Sequence, residues 1–583
     1  MQLSTLDWAI IVFFFVVFLI VGLLVAKKSG KDTKEFFLSG RNMPWWLLGV
    51  SMVATTFSAD TPNLVTDIVR QNGVSGNWVW WAFLITGMLT VFVYAKLWRR
   101  SEVLTDLQFY EMRYSGKAAA FLRGFRALYL GVFFNVMIMA SVCLAAIKIG
   151  GVMFGLAPWE CVLYASLVTV IYSSIGGLRG VILTDFLQFI IAMIGSVLAA
   201  IYIVNLPEIG GLENLLTHEN VVGKLHFLPD FNDPKALLVL LIIPLAVQWW
   251  SVWYPGAEPG GGGYIAQRML SAKDEKNAIG ATLLFNVAHY ALRPWPWILI
   301  ALASLIVYPT LGDIGQAFPN TILGHDLAYS AMLTALPSGL LGMVIASLIA
   351  AFMSTISTHL NWGSSYISID FYKRFLKPEA TEKELVAVGR VTTVLLMAFA
   401  ALVALALSSA LSTFAILLQI GAGTGLIFIL RWFWWRVNAY SEITGMVVSF
   451  ILAMIFEFGH TGLEIHEQLV LGVAITTVCW VTVTLLTRPT DVKTLAGFYN
   501  QVTPYGKGWA PFKKIASQQN IPLKTTTDNF TVDLACMLLG ILFVYVSLFA
   551  TGYIIYGNIL GASILIGIAI LSGYFIFKLW KRT

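Results

Sequence analysis

About fifteen apolar runs of roughly 20 residues constrain this chain before any motif does. They fall near 7–26, 44–70, 78–97, 127–150, 158–175, 181–205, 237–257, 279–308, 338–370, 388–408, 411–437, 440–459, 467–487, 531–556 and 559–577. A run of that length crosses the hydrocarbon of a bilayer as a helix, where its backbone polar groups must pair internally. The chain therefore reads as an all-α polytopic membrane protein embedded in a lipid bilayer. Composition agrees: 12% of residues are charged, against about 25% in soluble domains. The first run lacks a basic leader and a small-residue cleavage site, so it reads as a retained span and not a signal peptide. Cys143, Cys161, Cys479 and Cys536 lie in apolar runs without metal-ligand spacing and are expected to be reduced packing residues.

Lysine and arginine set the orientation. The loop 27–43 carries Lys27, Lys28, Lys31, Lys34 and Arg41, and the loop 96–126 is richer still. Arg179, Arg268, Lys273, Lys276, Lys373, Arg374, Lys377, Arg431, Arg436 and the tail Lys578–Arg582 fall on the same side. The segments 206–235 and 309–330 are poor in both residues. This predicts an N-terminus outside and a C-terminus inside, in a bacterial inner (plasma) membrane. The net charge of +6 fits such a loop bias and leaves no nucleic-acid footprint. The segment 488–530, with Lys493, Lys507, Lys513, Lys514 and Lys524, reads as a cytoplasmic connector too short for a catalytic domain. The last two spans read as peripheral.

Two spans contain breakers. Ala54-Thr-Thr-Phe-Ser-Ala-Asp-Thr-Pro-Asn63 interrupts the second, and Trp253-Tyr-Pro-Gly-Ala-Glu-Pro-Gly-Gly-Gly-Gly-Tyr264 the seventh. They lie five spans apart, an odd number, so the units they begin run in opposite directions. Paired broken helices in inverted repeats point to a transporter with its site near the bilayer midplane. A surface loop closing span seven is the alternative for the glycine run.

The ninth span carries Ala351-Phe-Met-Ser-Thr-Ile-Ser-Thr358. On a helix, Ala351, Ser354, Thr355 and Thr358 share a face, with Ser357 at its border. Small residues at that spacing let helices pack closely. The same hydroxyls, with freed carbonyls, also suit a hard cation such as Na+. Asp185, a little inside span six, is an intramembrane acid and hence a functional candidate; pairing with Arg179 is its structural alternative. Gln419-Ile-Gly-Ala-Gly-Thr-Gly425 makes span eleven flexible and admits a close neighbour.

These residues resemble the sodium/solute symporter family: carriers for proline, sugars, sialic acid, iodide and pantothenate. The resemblance covers about 7–487. Its anchors are Gly176-Gly-Leu-Arg-Gly-Val-Ile-Leu-Thr-Asp-Phe-Leu-Gln188, Tyr264-Ile-Ala-Gln-Arg-Met-Leu270, Ala351–Thr355 with Asp370-Phe-Tyr-Lys373, and Trp435-Arg-Val-Asn438. It implies a LeuT-like core of five-plus-five inverted repeats with one leading and about four trailing helices. The chain then divides into 1–43, a leading helix and loop; 44–205, the first repeat; 206–236, an extracellular loop; and 237–437, the second repeat. Trailing helices 438–487, the connector 488–530 and two C-terminal helices with a basic tail, 531–583, complete it.

The resemblance also implies a principal sodium site from the carbonyls of Ser58, Thr61 and Ala351 and the hydroxyls of Ser354 and Thr355. A second sodium site maps onto Asp185, Ser354, Ser357 and Thr358. For the solute it suggests Asp60, Asn63, Glu258, Arg293 and Gln419. Asp60 stands where sugar carriers have Asn and proline carriers Asp. Trp249, Trp250, Trp253 and Tyr254 crowd the seventh-span gate, and tryptophan faces stack on sugar rings. The expected function is Na+-coupled import of a small organic solute, a sugar or polyol, by alternating access. An amino acid such as proline, or a carboxylate, is the alternative solute. A channel, a membrane enzyme and a sensor are the rival classes; His289 and His359 stand alone, without the acid or His neighbours that metal chemistry needs.

Overall fold

A computed structural model describes residues 3–29, 32–251, 258–407, 410–459, 461–525 and 528–580. Trp253, Tyr254 and the Gln419 side chain lie outside the described residues. Among those described, all regular structure is helical apart from one isolated bridge between Met43 and Ala272. Among the described residues, ten helical segments are long and apolar enough to cross a membrane and five shorter apolar segments accompany them, Pro158–Ile171 and Leu178–Val204 being parts of one helix. Each predicted run overlaps one of these helices.

One boundary differs. The two runs predicted at 158–175 and 181–205 form a single helix, Pro158–Val204, of 47 residues. No proline separates them, and glycine weakens a helix by about 1 kcal/mol without removing its N–H donor. Gly176, Gly177 and Gly180 therefore do not end it.

Both predicted breaks are present. The first broken helix is Trp45–Thr56 and then Asp60–Asn72, with buried, non-helical Phe57, Ser58 and Ala59 between. The chain into the second passes through Pro234–Leu237, Ile243–Ala246 and Gln248–Trp250 and resumes as Gly263–Ser271. The glycine run is buried, so it is not a surface loop. Gly260 and Gly261 hold φ of 84° and 82°, where a Cβ is disfavoured. The close approach expected at span eleven occurs at Gly425. A Cβ there would lie 1.6 Å from the Trp250 carbonyl oxygen.

The serine helix, Leu340–Ser365, continues into a π-helical stretch, Tyr366–Leu376. Its start is capped from the leading helix, Thr5–Ser29. Asp7 Oδ1 accepts from the backbone N–H groups of Gly339 and Gly342, both at 2.8 Å. Helix starts leave such donors unpaired and favour negative charge.

The connector is folded onto the core. Its helices Val492–Val502 and Ala510–Gln518 bracket Trp509, whose Nε1 donates to the Trp432 carbonyl at 2.8 Å. Arg113 stacks over the Trp509 and Phe498 rings, 4.9 and 5.3 Å from their centroids. Arg100 binds Asp528 at 2.6 Å. The helix Phe530–Ile555 is not peripheral, contrary to the sequence expectation. Its Asp533 pairs with buried Lys96 at 2.7 Å, and Trp295 donates to its Leu548 carbonyl at 3.0 Å. Ile559–Trp580 keeps large apolar residues exposed along its length.

Candidate functional site

The helix ending at Thr56 leaves carbonyls without their usual intrahelical donors. Thr355 of the serine helix donates to the Thr55 carbonyl at 2.8 Å, which fixes that helix against the break. Within the break, Thr61 N–H donates to the Ser58 carbonyl at 3.2 Å, and Thr61 Oγ1 lies 3.4 Å from the Thr56 carbonyl. Ala351, Ser354 and Thr355 are all buried. The structure thus assembles the two elements on which the predicted principal sodium site depends.

Asp185 is fully buried beside them. Its two carboxylate oxygens accept from Ser354 Oγ and from Ser51 Oγ, each at 2.5 Å. Arg179 is not its partner. A guanidinium from the second broken helix, Arg268 Nη2, lies 3.7 Å from Asp185 Oδ2. The same group donates to Thr358 Oγ1 at 2.8 Å and Thr55 Oγ1 at 3.2 Å, and Arg268 Nε donates to Ser51 at 3.2 Å. Ser357 donates back to the Ser354 carbonyl at 3.0 Å. Apart from the Arg268 guanidinium, the polar atoms named around Asp185 are oxygens, which suit a hard cation. Ser51, Thr55 and Arg268 belong to this cluster and were missed as site residues. Arg268 stood in a quoted motif, but no spacing rule links residue 268 to residue 185.

The five solute candidates separate. Asn63 is 1% exposed, and neither its amide oxygen nor its amide nitrogen has a hydrogen-bond partner. Thr66, one turn on, has an equally unpartnered hydroxyl. Asp60 is half-buried at the start of the same helix. Arg293 lies against the other half, 3.3 Å from Thr56 Oγ1 and 3.4 Å from the Val53 carbonyl, with its guanidinium over Trp297. Phe57 stacks on that indole at 5.1 Å. The His289 ring bridges Thr56 and Arg293, neither of them an acid or a histidine. Trp249 and Trp250 meet edge to face, and the Trp249 carbonyl accepts from Thr86.

Glu258 belongs elsewhere. It is ion-paired with Arg126 and lies 3.7 Å from Arg431, which also faces Glu442 at 3.6 Å. No hydrogen bond among the described residues joins it to Asp60, Asn63 or Arg293. A glutamate between two buried arginines has its charge already matched, whereas Asn63 does not have its hydrogen bonds met.

Broken helices packed against a hydroxyl-rich helix, with a buried acid in an oxygen cluster, define a multi-pass carrier of cations and solute. The chain matches the model of the sodium:solute symporter family over residues 36–449, and it belongs to that family. It is a sodium-coupled solute symporter and not an enzyme. It is 24% identical to a sodium/glucose cotransporter of Vibrio parahaemolyticus, over 80% of this chain and 88% of that one. It is 26% identical to a sodium/mannose cotransporter of Bos taurus, over 79% and 80%. With sodium/myo-inositol cotransporter 2 of Oryctolagus cuniculus it shares 27%, over 77% and 69%. A solved Na+-coupled sialic acid symporter superposes with a TM-score of 0.66 at 22% identity, covering 84% of this chain and all of that chain. That likeness establishes the fold, a LeuT-like helical core.

Proposed function

We propose that the solute is a sugar or polyol, bound at the first broken helix beside Asn63 and imported with Na+ by alternating access. The unpartnered Asn63 amide carries this reading. A buried amide with neither atom paired costs stability unless a ligand completes it, and an amide both donates and accepts, as hydroxyl-rich solutes require. Relatives named for glucose, mannose and myo-inositol support it. Asp60 and Arg293 favour a second reading, a zwitterionic or anionic solute such as proline or a carboxylate.

The principal sodium is assigned to the Ser58, Thr61 and Ala351 carbonyls with the Ser354 and Thr355 hydroxyls. A second sodium is assigned to Asp185, Ser354, Ser357 and Thr358. Binding of Na+ at the break orders both broken helices, and inward release follows the membrane potential, worth about 2.3 kcal/mol per charge per 100 mV. The distribution of lysine and arginine supports an N-terminus outside and a C-terminus inside. The deciding experiment is Na+-driven uptake and counterflow in proteoliposomes with glucose, mannose, myo-inositol, proline and sialic acid. Saturable Na+-dependent counterflow of one of the first three is expected. Counterflow with proline or sialic acid alone would replace the sugar reading by the second.

A further inference from the structure

We propose that Arg268 is a tethered cation that competes with Na+ for Asp185 and couples occupancy of that acid to the position of the second broken helix. The inference rests on the reading above that Asp185, Ser354, Ser357 and Thr358 hold a second Na+.

The cluster is closed and its charge is balanced by one carboxylate and one guanidinium. Both side chains are fully buried. Both Asp185 oxygens are engaged at 2.5 Å, and Thr358 accepts from Arg268 at 2.8 Å. A Na+ added to this arrangement would leave a net positive charge in a buried site, which is strongly opposed. Serine and threonine hydroxyls both donate and accept. Ser51 and Ser354 donate to Asp185 here, and by rotating they can turn lone pairs toward a cation once the guanidinium has gone. The two cations therefore use the same oxygens in alternation.

Arg268 has a position that converts this exchange into motion. It stands on Gly263–Ser271, a helix that follows Gly260 and Gly261, with φ of 84° and 82°, and opens on Gly263, with φ of 49°. Its guanidinium reaches Ser51 and Thr55 on the first broken helix and Thr358 on the serine helix. One side chain thus ties three elements together, and the glycines beside it let its helix turn. Arrival of Na+ at Asp185 breaks this tie. Loss of Na+ restores it.

The test is equilibrium binding of radioactive Na+ to the purified, full-length protein without solute, at constant ionic strength set by choline. Removing the tethered cation in Arg268→Gln should raise affinity at Asp185 by about 5- to 150-fold, the usual span of a coupling between sites. Arg268→Lys keeps the charge but loses the planar fork, so it should shift affinity in the same direction by less. It also serves if Arg268→Gln fails to fold. The gain should vanish in Arg268→Gln combined with Asp185→Asn. Unchanged Na+ affinity in either folded Arg268 variant, or a gain that survives in the double variant, overturns the competition. The second-site reading is tested separately by Asp185→Asn alone. If that variant binds as many Na+ as the parent, the parent holds no ion there, whatever the Arg268 variants do.

Discussion

Glu258→Gln tests whether this residue is structural or a solute ligand. The change keeps the side chain's shape and removes its charge from between Arg126 and Arg431. Their side chains are only 2% exposed, and Glu258 itself 3%. After the change, Glu442 is the one carboxylate left within 4 Å of either guanidinium among the described residues. Stripping one partner from a buried pair costs about 3–5 kcal/mol, because the remaining charge stays desolvated. The faces of Phe428, Tyr110 and Phe109, 4.7–5.6 Å from the two guanidinium groups, recover part of this, at about 0.5–2 kcal/mol per contact. The expected net loss is therefore about 2–4 kcal/mol, read as the denaturant-unfolding free energy in detergent micelles. Solute Kd, measured on the folded fraction at saturating Na+, should stay within about threefold of the parent. Adding Arg126→Gln should recover part of the stability, because the unmatched cation is then gone. Parental stability together with a tenfold weaker solute Kd would refute the ion-pair account and return Glu258 to the solute site.

Thr355→Ala should weaken apparent Na+ affinity in uptake assays about fivefold or more. It removes one assigned ligand and the 2.8 Å bond to the Thr55 carbonyl, a bond worth about 1 kcal/mol; parental Na+ activation would refute the assignment. Asp60→Asn should change solute affinity or selectivity with little change in unfolding midpoint, and Asp60→Leu transporting like the parent would exclude it from the cavity. Gly425→Ala gains about 1 kcal/mol of helix propensity, but its Cβ meets the Trp250 carbonyl at 1.6 Å. Overpacking of about 1–3 kcal/mol should win, lowering the unfolding midpoint, and a raised midpoint would contradict the packing. Burial would raise the Asp528 carboxyl, but Arg100 and Lys96 outweigh it and hold it below the usual range. Its stabilisation of the connector is thus complete above about pH 4 and lost as pH falls through the depressed value. Asp528→Asn should raise hydrogen exchange over 492–518 at pH 7, and the difference from the parent should shrink below about pH 4. Equal exchange at pH 7 would disprove a stabilising role for the Asp528–Arg100 pair.

The spans and both breaks were legible because length, hydropathy and glycine–proline chemistry are local properties. The serine-helix face was legible because helical spacing alone brings Ser354, Thr355 and Thr358 together. The charge partners were not. Asp185 could be recognised as an acid in a span, yet its nearest arginine in sequence, Arg179, is not the one it meets. Lys148 was overlooked inside an apolar run, although it pairs with Asp326 at 2.6 Å. Glu258 looked like a solute ligand because it sits in a break, and only the fold shows two arginines closing on it. In each case the missing information is which distant segments pack together. The continuous Pro158–Val204 helix shows a second limit, since glycines permit a turn without imposing one.

Asp7 gives the leading helix a hold on the serine helix that its distance in sequence conceals. It supplies, from 332 positions away, the anion that the serine helix lacks at its own start. A cap fixes where a helix begins as well as how firmly it is held. The hydroxyls of Ser354 and Thr355 therefore take their depth in the bilayer from a segment that contributes no oxygen to the site. The first span acts as a depth gauge for those hydroxyls, and a shift of that span along the membrane normal would be passed to them through the Asp7 cap.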